Sequence, residues 1–221
     1  MPASMSGVNS TTAAALTVVA GYLLGSIPFA NLIARRHAGT DLRTVGDRNP
    51  GYWNAKEVLG RRAALSVFVL DAVKGGVAAG VGMVLVGDLA WRHGTGWAGD
   101  SWAGSGWAGD GAWGGYLGAA AAMVGHAWPA FAGFRGGRSV LTFAGAACVL
   151  SPITTAVAIA VLVVVAVATR SFAWGARCAV FAFPVVQLFV DGPYRTAATG
   201  ALMSIIGARF AMASRQSRAH P

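Results

Sequence analysis

Between Gly125 and Ser139 the chain reads Gly-His-Ala-Trp-Pro-Ala-Phe-Ala-Gly-Phe-Arg-Gly-Gly-Arg-Ser. Arg135 and Arg138 bracket the glycine pair Gly136-Gly137, and Ser139 follows directly. Glycines carry no Cβ, so such a pair can turn its N–H groups onto one cluster of ligand oxygens. The guanidinium groups add fork-shaped donors matched to phosphate. Ser139 falls at or near the N-cap of the helix expected after it, where free N–H groups and the helix dipole favour an anion. The spacing predicts a phosphate cradle at a membrane surface. A short cytoplasmic loop that merely carries positive charge has the same composition, and both readings stand at this stage.

Three other constellations could contribute. Asp41-Leu42-Arg43 precedes Gly46-Asp47-Arg48-Asn49-Pro50-Gly51-Tyr52-Trp53-Asn54. Asn49 and Asn54 are turn formers by type, and their amides can also donate to phosphate or hydroxyl oxygens. Asp71 and Lys74 stand three apart in an apolar stretch, on one helix face. Charges inside a span face a partner or a wet cavity, so the pair is either a structural ion pair or leaves Lys74 to bind an anion. His126, before Trp128-Pro129, is by type a packing strut first and a base second. His37, His93 and His220 are scattered without metal-ligand spacing. With no Walker loop and no nucleophile elbow either, neither a metal nor a cofactor is expected.

The elements that position these residues follow from composition. Of 221 residues, 55% are hydrophobic and only 11% charged, which excludes an ordinary soluble domain. Thirty-one glycines suit close helix packing in a bilayer. The net charge of +9 fits arginines in short loops between spans, so no nucleic-acid partner is expected. Cys148 and Cys178 lie in apolar runs and imply no disulfide. No basic segment precedes the first apolar run, so a cleaved signal peptide is not expected.

Apolar runs at Ala14–Ala34, Ala63–Gly87, Tyr116–Phe134, Val140–Thr169, Phe172–Val190 and Thr196–Met212 are candidate spans. Val140–Thr169 is double length. Arg135 and Arg138 before it and Arg170 after it belong on the cytoplasmic side, which requires an even number of crossings. A hairpin broken near Ser151-Pro152, with a short first arm, satisfies that; a single tilted helix is the competing reading. The expected fold is therefore an all-α polytopic membrane protein of about seven transmembrane helices, N-terminus outside and C-terminus inside. It is one membrane domain, 1–221, with flexible ends at 1–13 and 213–221 and a low-complexity outer loop at 91–115 built on a Trp-Ala-Gly repeat.

In order along the chain, these pieces resemble the membrane acyl-phosphate-dependent glycerol-3-phosphate acyltransferases of the PlsY type. The carriers are Gly25-Ser26-Ile27-Pro28-Phe29; Asp41 and Arg43; Gly46, Asn49, Gly51 and Asn54; Asp71, Lys74 and Gly75; and Gly125, His126, Pro129, Phe134, Gly136, Gly137 and Thr142. Arginine replaces the family lysines at Arg135 and Arg138. The likeness is good over residues 20–145 and thin beyond. Asp47 stands where the family has serine, Arg48 where it has glycine, and Glu57 where it has arginine. Ala173 and Ala176 replace serines, and the best register puts Arg209 and Met212 at a family histidine and asparagine.

The resemblance implies transfer of a fatty acyl group from acyl phosphate to glycerol 3-phosphate, giving lysophosphatidic acid and phosphate, at the cytoplasmic face of a bacterial plasma membrane. Membrane lipid is implied as surroundings, and no obligate protein partner. The implied substrate and phosphate ligands are Arg43, Asn49, Asn54, Lys74, Arg135, Gly136, Gly137, Arg138 and Ser139, with Asp47 and His126 as catalytic candidates. Asp47 would repel phosphate unless it pairs with Arg48 or serves as a base. A non-catalytic relative that binds anionic lipid or assists another membrane protein, and a small-solute transporter, are the other readings.

Overall fold

The structure, a computed structural model, describes residues 10–92 and 112–219. Within them the chain is helical, with no strand: α1 (Ser10–Gly25), α2 (Phe29–Ala38), α3 (Tyr52–Leu59), α4 (Arg61–Arg92), α5 (Ala112–Ala127), α6 (Val140–Leu150), α7 (Pro152–Thr169), α8 (Phe172–Val190) and α9 (Pro193–Ala219). Five stretches are long and apolar enough to cross a membrane: Thr11–Ala38, Arg61–Val86, Pro152–Thr169, Phe172–Val190 and Pro193–Arg215. α5 and α6 are shorter apolar helices packed among them.

Small residues fill the interior and large apolar ones face outward. Ala79, Ala119, Met123 and Ala146 lie in the central cluster, whereas Val164, Val167, Phe181 and Phe189 are 66% to 83% exposed. Lipid tails solvate such side chains as well as a core does, so close backbone approach decides which helices meet. α4 and α6 illustrate this: a Cβ on Gly75 would strike the Thr142 carbonyl, and one on Gly145 would strike that of Ala72. The Asp71–Lys74 turn of α4 is thereby pressed against α6.

Several expected boundaries move, each for a local reason. The run Ala14–Ala34 is two helices, because Pro28 has no N–H to give and disfavours helix at Ile27. The run Tyr116–Phe134 starts earlier and leaves the helix at Ala127, since Trp128-Pro129 breaks it; a 3-10 turn, Ala130–Ala132, follows. α4 runs on to Arg92, into the expected outer loop, and α1 takes up residues 10–13 of the expected flexible end. α9 starts at Pro193 and continues to Ala219 through most of the expected flexible tail. The Trp-Ala-Gly repeat, from Trp97 to Gly111, lies outside the described residues.

The double-length run does break, at Ser151, with Pro152 opening α7. α6 has 11 residues, about 16 Å at the helical rise and well short of the hydrocarbon thickness. α7 and α8 pack chiefly on each other. Their hairpin is tied to the bundle at both ends. At one end Phe172 meets Trp53 of α3, ring centroids 5.8 Å apart. At the other, the buried Gln187 Nε2 donates to Tyr116 Oη of α5 (3.2 Å) and to Ser151 Oγ at the end of α6 (2.8 Å), while Thr154 Oγ1 donates to Asp191 (2.7 Å) within the hairpin.

Candidate active site

The break at Ile27-Pro28, the middle of α4, the end of α5 and the α5–α6 loop converge on one small cleft. Its lining includes Ile27, Asn31, Pro50, Asp71, Lys74, His126, Arg135, Gly136 and Gly137. Asp71 and Lys74 form its floor, their side chains only 2% exposed. Lys74 Nζ stands 2.8 Å from Asp71 Oδ1 and donates to the Ile27 carbonyl at 3.1 Å. That carbonyl is available because the proline break interrupts the helical ladder. His126 Nδ1 faces the same Asp71 oxygen at 3.6 Å. Neither approach to Oδ1 has hydrogen-bond geometry; both are charge contacts. A proton on Nδ1, facing the carboxylate, leaves Nε2 as the acceptor of the ring. Nε2 lies against Gly137: a Cβ there would collide with it.

The glycine pair is not the anion nest its spacing suggested. Gly136 N donates to the Ala127 carbonyl (3.2 Å) and Gly137 N to the His126 carbonyl (3.1 Å), so both N–H groups are already used. The glycines are needed for proximity, because a Cβ on Gly136 would strike the His126 carbonyl. Ser139 does occupy the N-cap of α6, but its buried hydroxyl donates to the Met123 carbonyl at 2.7 Å and makes no cap bond. It braces α6 on α5. Of the cradle, Arg135 alone reaches the cleft as a donor with no partner of its own among the described residues; its side chain is exposed at the mouth.

The α2–α3 loop lies beside the cleft and is built by its polar residues. Asn54 is buried and donates to the carbonyls of Leu42 (2.8 Å) and Val45 (3.0 Å), so its amide closes the loop instead of facing a ligand. Asn31, which the sequence did not single out, accepts from Leu42 N at 3.2 Å. Arg43 binds Asp41 through Nε and through Nη2, the latter at 2.6 Å, and its Nη1 donates to the Ala132 carbonyl at 2.7 Å. This charge-assisted pair holds the Asp41 carboxyl well below the usual carboxylate range and raises the Arg43 guanidinium above its ordinary value. Asp47 accepts from Asn49 N at 3.0 Å and pairs with Arg138 at 3.5 Å, not with Arg48. Arg43, Asp47, Asn49, Asn54, Arg138 and Ser139 are therefore near the cleft but outside its lining.

Two residues of α9 complete the surroundings. Arg209 donates to the carbonyls of Gly137 (3.1 Å) and Gly136 (2.8 Å) and lies over the Trp128 ring. Phe210 presents its ring to the Arg138 guanidinium at 4.7 Å. The sequence set Arg209 at a family histidine and did not single out Phe210; neither contact was foreseen, because both join segments some seventy positions apart.

Fold and cleft together define a helical integral membrane protein with a small cleft lined by Asp71, Lys74, His126 and Arg135. The chain belongs to the glycerol-3-phosphate acyltransferase family, whose model matches residues 15–217. It is 33% identical over 175 residues to the glycerol-3-phosphate acyltransferase of Clostridioides difficile, covering 79% of this chain and 77% of that one. It is 30% identical over 191 residues to that of Syntrophotalea carbinolica, covering 86% of each. Among solved structures it is similar to PlsY, an integral membrane glycerol 3-phosphate acyltransferase in its glycerol 3-phosphate form, with a TM-score of 0.67, 26% identity and coverage of 93% and 92%.

Proposed function

We propose that this protein transfers a fatty acyl group from acyl phosphate to the 1-hydroxyl of glycerol 3-phosphate, releasing lysophosphatidic acid and phosphate. Seven crossings, with the N-terminus outside and the cleft at the cytoplasmic face of a bacterial plasma membrane, fit the charge distribution: loop 35–62 carries seven Lys/Arg against three acids. The observation that carries the reading is the convergence of His126, the Lys74–Asp71 pair and Arg135 on one cleft of a chain that matches the family from residue 15 to 217.

The substrate hydroxyl oxygen attacks the acyl carbonyl carbon while the bond from that carbon to the phosphate oxygen breaks. The hydroxyl proton passes to His126 Nε2, and the Asp71 carboxylate, 3.6 Å from Nδ1 on the far side of the ring, offsets the charge the ring then gains. Acyl phosphate is already activated, so positioning and charge stabilisation do most of the work. Arg135 and Arg138 are the donors proposed for the two phosphates, and Lys74 counters the charge that develops at the carbonyl oxygen. Asp47 is proposed as a partner of Arg138 instead of a base, since its carboxylate already faces that guanidinium at 3.5 Å.

The test is phosphate release from palmitoyl phosphate by the purified protein in detergent or lipid, with and without glycerol 3-phosphate. Acceptor-dependent release that disappears in His126→Ala supports the reading. A folded sample that releases no phosphate above a heat-killed control refutes it.

A further inference from the structure

The Arg135–Arg138 turn is held on both edges. Its inner edge is bonded to α5 through the N–H groups of Gly136 and Gly137, which reach the Ala127 and His126 carbonyls. Its outer edge is bonded to α9, where Arg209 Nη2 and Nε take the carbonyls of Gly136 (2.8 Å) and Gly137 (3.1 Å). The fork fits two successive carbonyls because its donors are planar and fixed; an ammonium offers one point and no fixed spacing. Trp128 lies under the Arg209 guanidinium, 5.2 Å from it, which limits the fork to one plane. The next residue, Phe210, supports Arg138 at 4.7 Å, so consecutive residues of α9 set the middle and one end of the turn. Arg138 needs that support: its Nε is buried without a hydrogen-bond partner, and its contact with Asp47 is long at 3.5 Å.

We propose that Arg209 is a positioning residue for acyl transfer. By clamping Gly136 and Gly137 against His126 it fixes where Arg135 and Arg138 present their donors to substrate phosphate, with Phe210 as the second jaw for Arg138. The inference rests on the acyltransferase reading for its kinetic consequence and on the bond pattern alone for the clamp.

The experiment uses the full chain in detergent or lipid with Arg209→Met, Arg209→Lys and Phe210→Leu. Two quantities are read: hydrogen exchange of the Gly136 and Gly137 amides, and kcat and KM for glycerol 3-phosphate and palmitoyl phosphate. Arg209→Met is expected to speed exchange at both glycines and to lower kcat/KM by about 10- to 100-fold through misplaced donors. Arg209→Lys keeps the charge and is expected to recover less than half of either loss. Phe210→Leu is expected to raise KM for the phosphate substrates with glycine exchange unchanged. Wild-type exchange and kinetics in Arg209→Lys would overturn the clamp. So would a loss of activity in Arg209→Met with unchanged exchange, which would make Arg209 a substrate contact. If Arg209→Met does not fold, Arg209→Lys decides. If the wild-type protein releases no phosphate, the acyltransferase reading falls, and amide exchange still decides the clamp.

Discussion

Arg138 reaches across from the α5–α6 loop to Asp47 of the α2–α3 loop, Nη1 to Oδ2 at 3.5 Å, with both side chains partly open to solvent. The carboxylate occupies the guanidinium proposed above for a substrate phosphate. Exposed pairs of this kind are worth under about 1 kcal/mol, so an arriving dianion can displace it at small cost.

Asp47→Ser should therefore lower KM for glycerol 3-phosphate, by about two- to fivefold given the size of such pairs, with kcat little changed. Steady-state kinetics at low and high salt checks this, and the gain should shrink as salt screens the pair. A raised KM or a collapsed kcat would return Asp47 to the reaction itself.

The Asp71–Lys74 pair predicts a non-additive cycle. Lys74→Met strands a carboxylate and Asp71→Leu strands an ammonium, each in a site that is 2% exposed. Removing one partner of such a pair costs about 3–5 kcal/mol. The double variant should recover much of the thermal stability in detergent, yet remain inactive, because the floor of the cleft has lost its charge. Single variants with wild-type Tm would contradict the buried ion pair.

Gly137→Ala places a methyl group against His126 Nε2 and near the Pro50 carbonyl. Activity should fall by about 100-fold, the scale of an ångström-sized displacement in a reacting geometry, while Gly133→Ala, with nothing near its Cβ, should cost only the strain of its positive φ. Comparable kinetics for the two variants would remove His126 from the chemistry.

Acid should loosen the α2–α3 loop. The folded Asp41 carboxyl titrates below its unfolded value because Arg43 bonds the charged form. Its contribution is fully present above the unfolded pKa of about 3.9 and is lost as pH falls below that toward the folded value. Limited proteolysis within 39–51 should accelerate below about pH 4, and Asp41→Asn should show that susceptibility already at neutral pH. Equal cleavage of both forms at every pH would refute the coupling.

The helical class, the break at Ser151 and the Asp71–Lys74 pairing were legible because each rests on local rules: hydropathy, charge parity, proline and i,i+3 spacing. Pro28 and Pro129 carried the same signal, but the apolar runs that continue past them concealed the breaks. The glycine pair misled for a different reason. Whether an N–H is free depends on what stands opposite it, and here the end of α5 does. Asn54 likewise looks like a ligand by type and becomes a loop staple only once Leu42 and Val45 are folded over it. Arg209 meets the glycines across a sequence separation of about seventy residues, which no local pattern encodes.

The Ile27-Pro28 break has one further consequence, for how a lysine lives in a bilayer. An ammonium has three protons and is ordinarily wrapped in water. Lys74 has the Asp71 carboxylate on one side, the Ile27 carbonyl on another and the Phe29 ring 5.6 Å away on a third. The chain has thus surrounded the ammonium with partners of its own, and these hold the positive charge at the cleft floor.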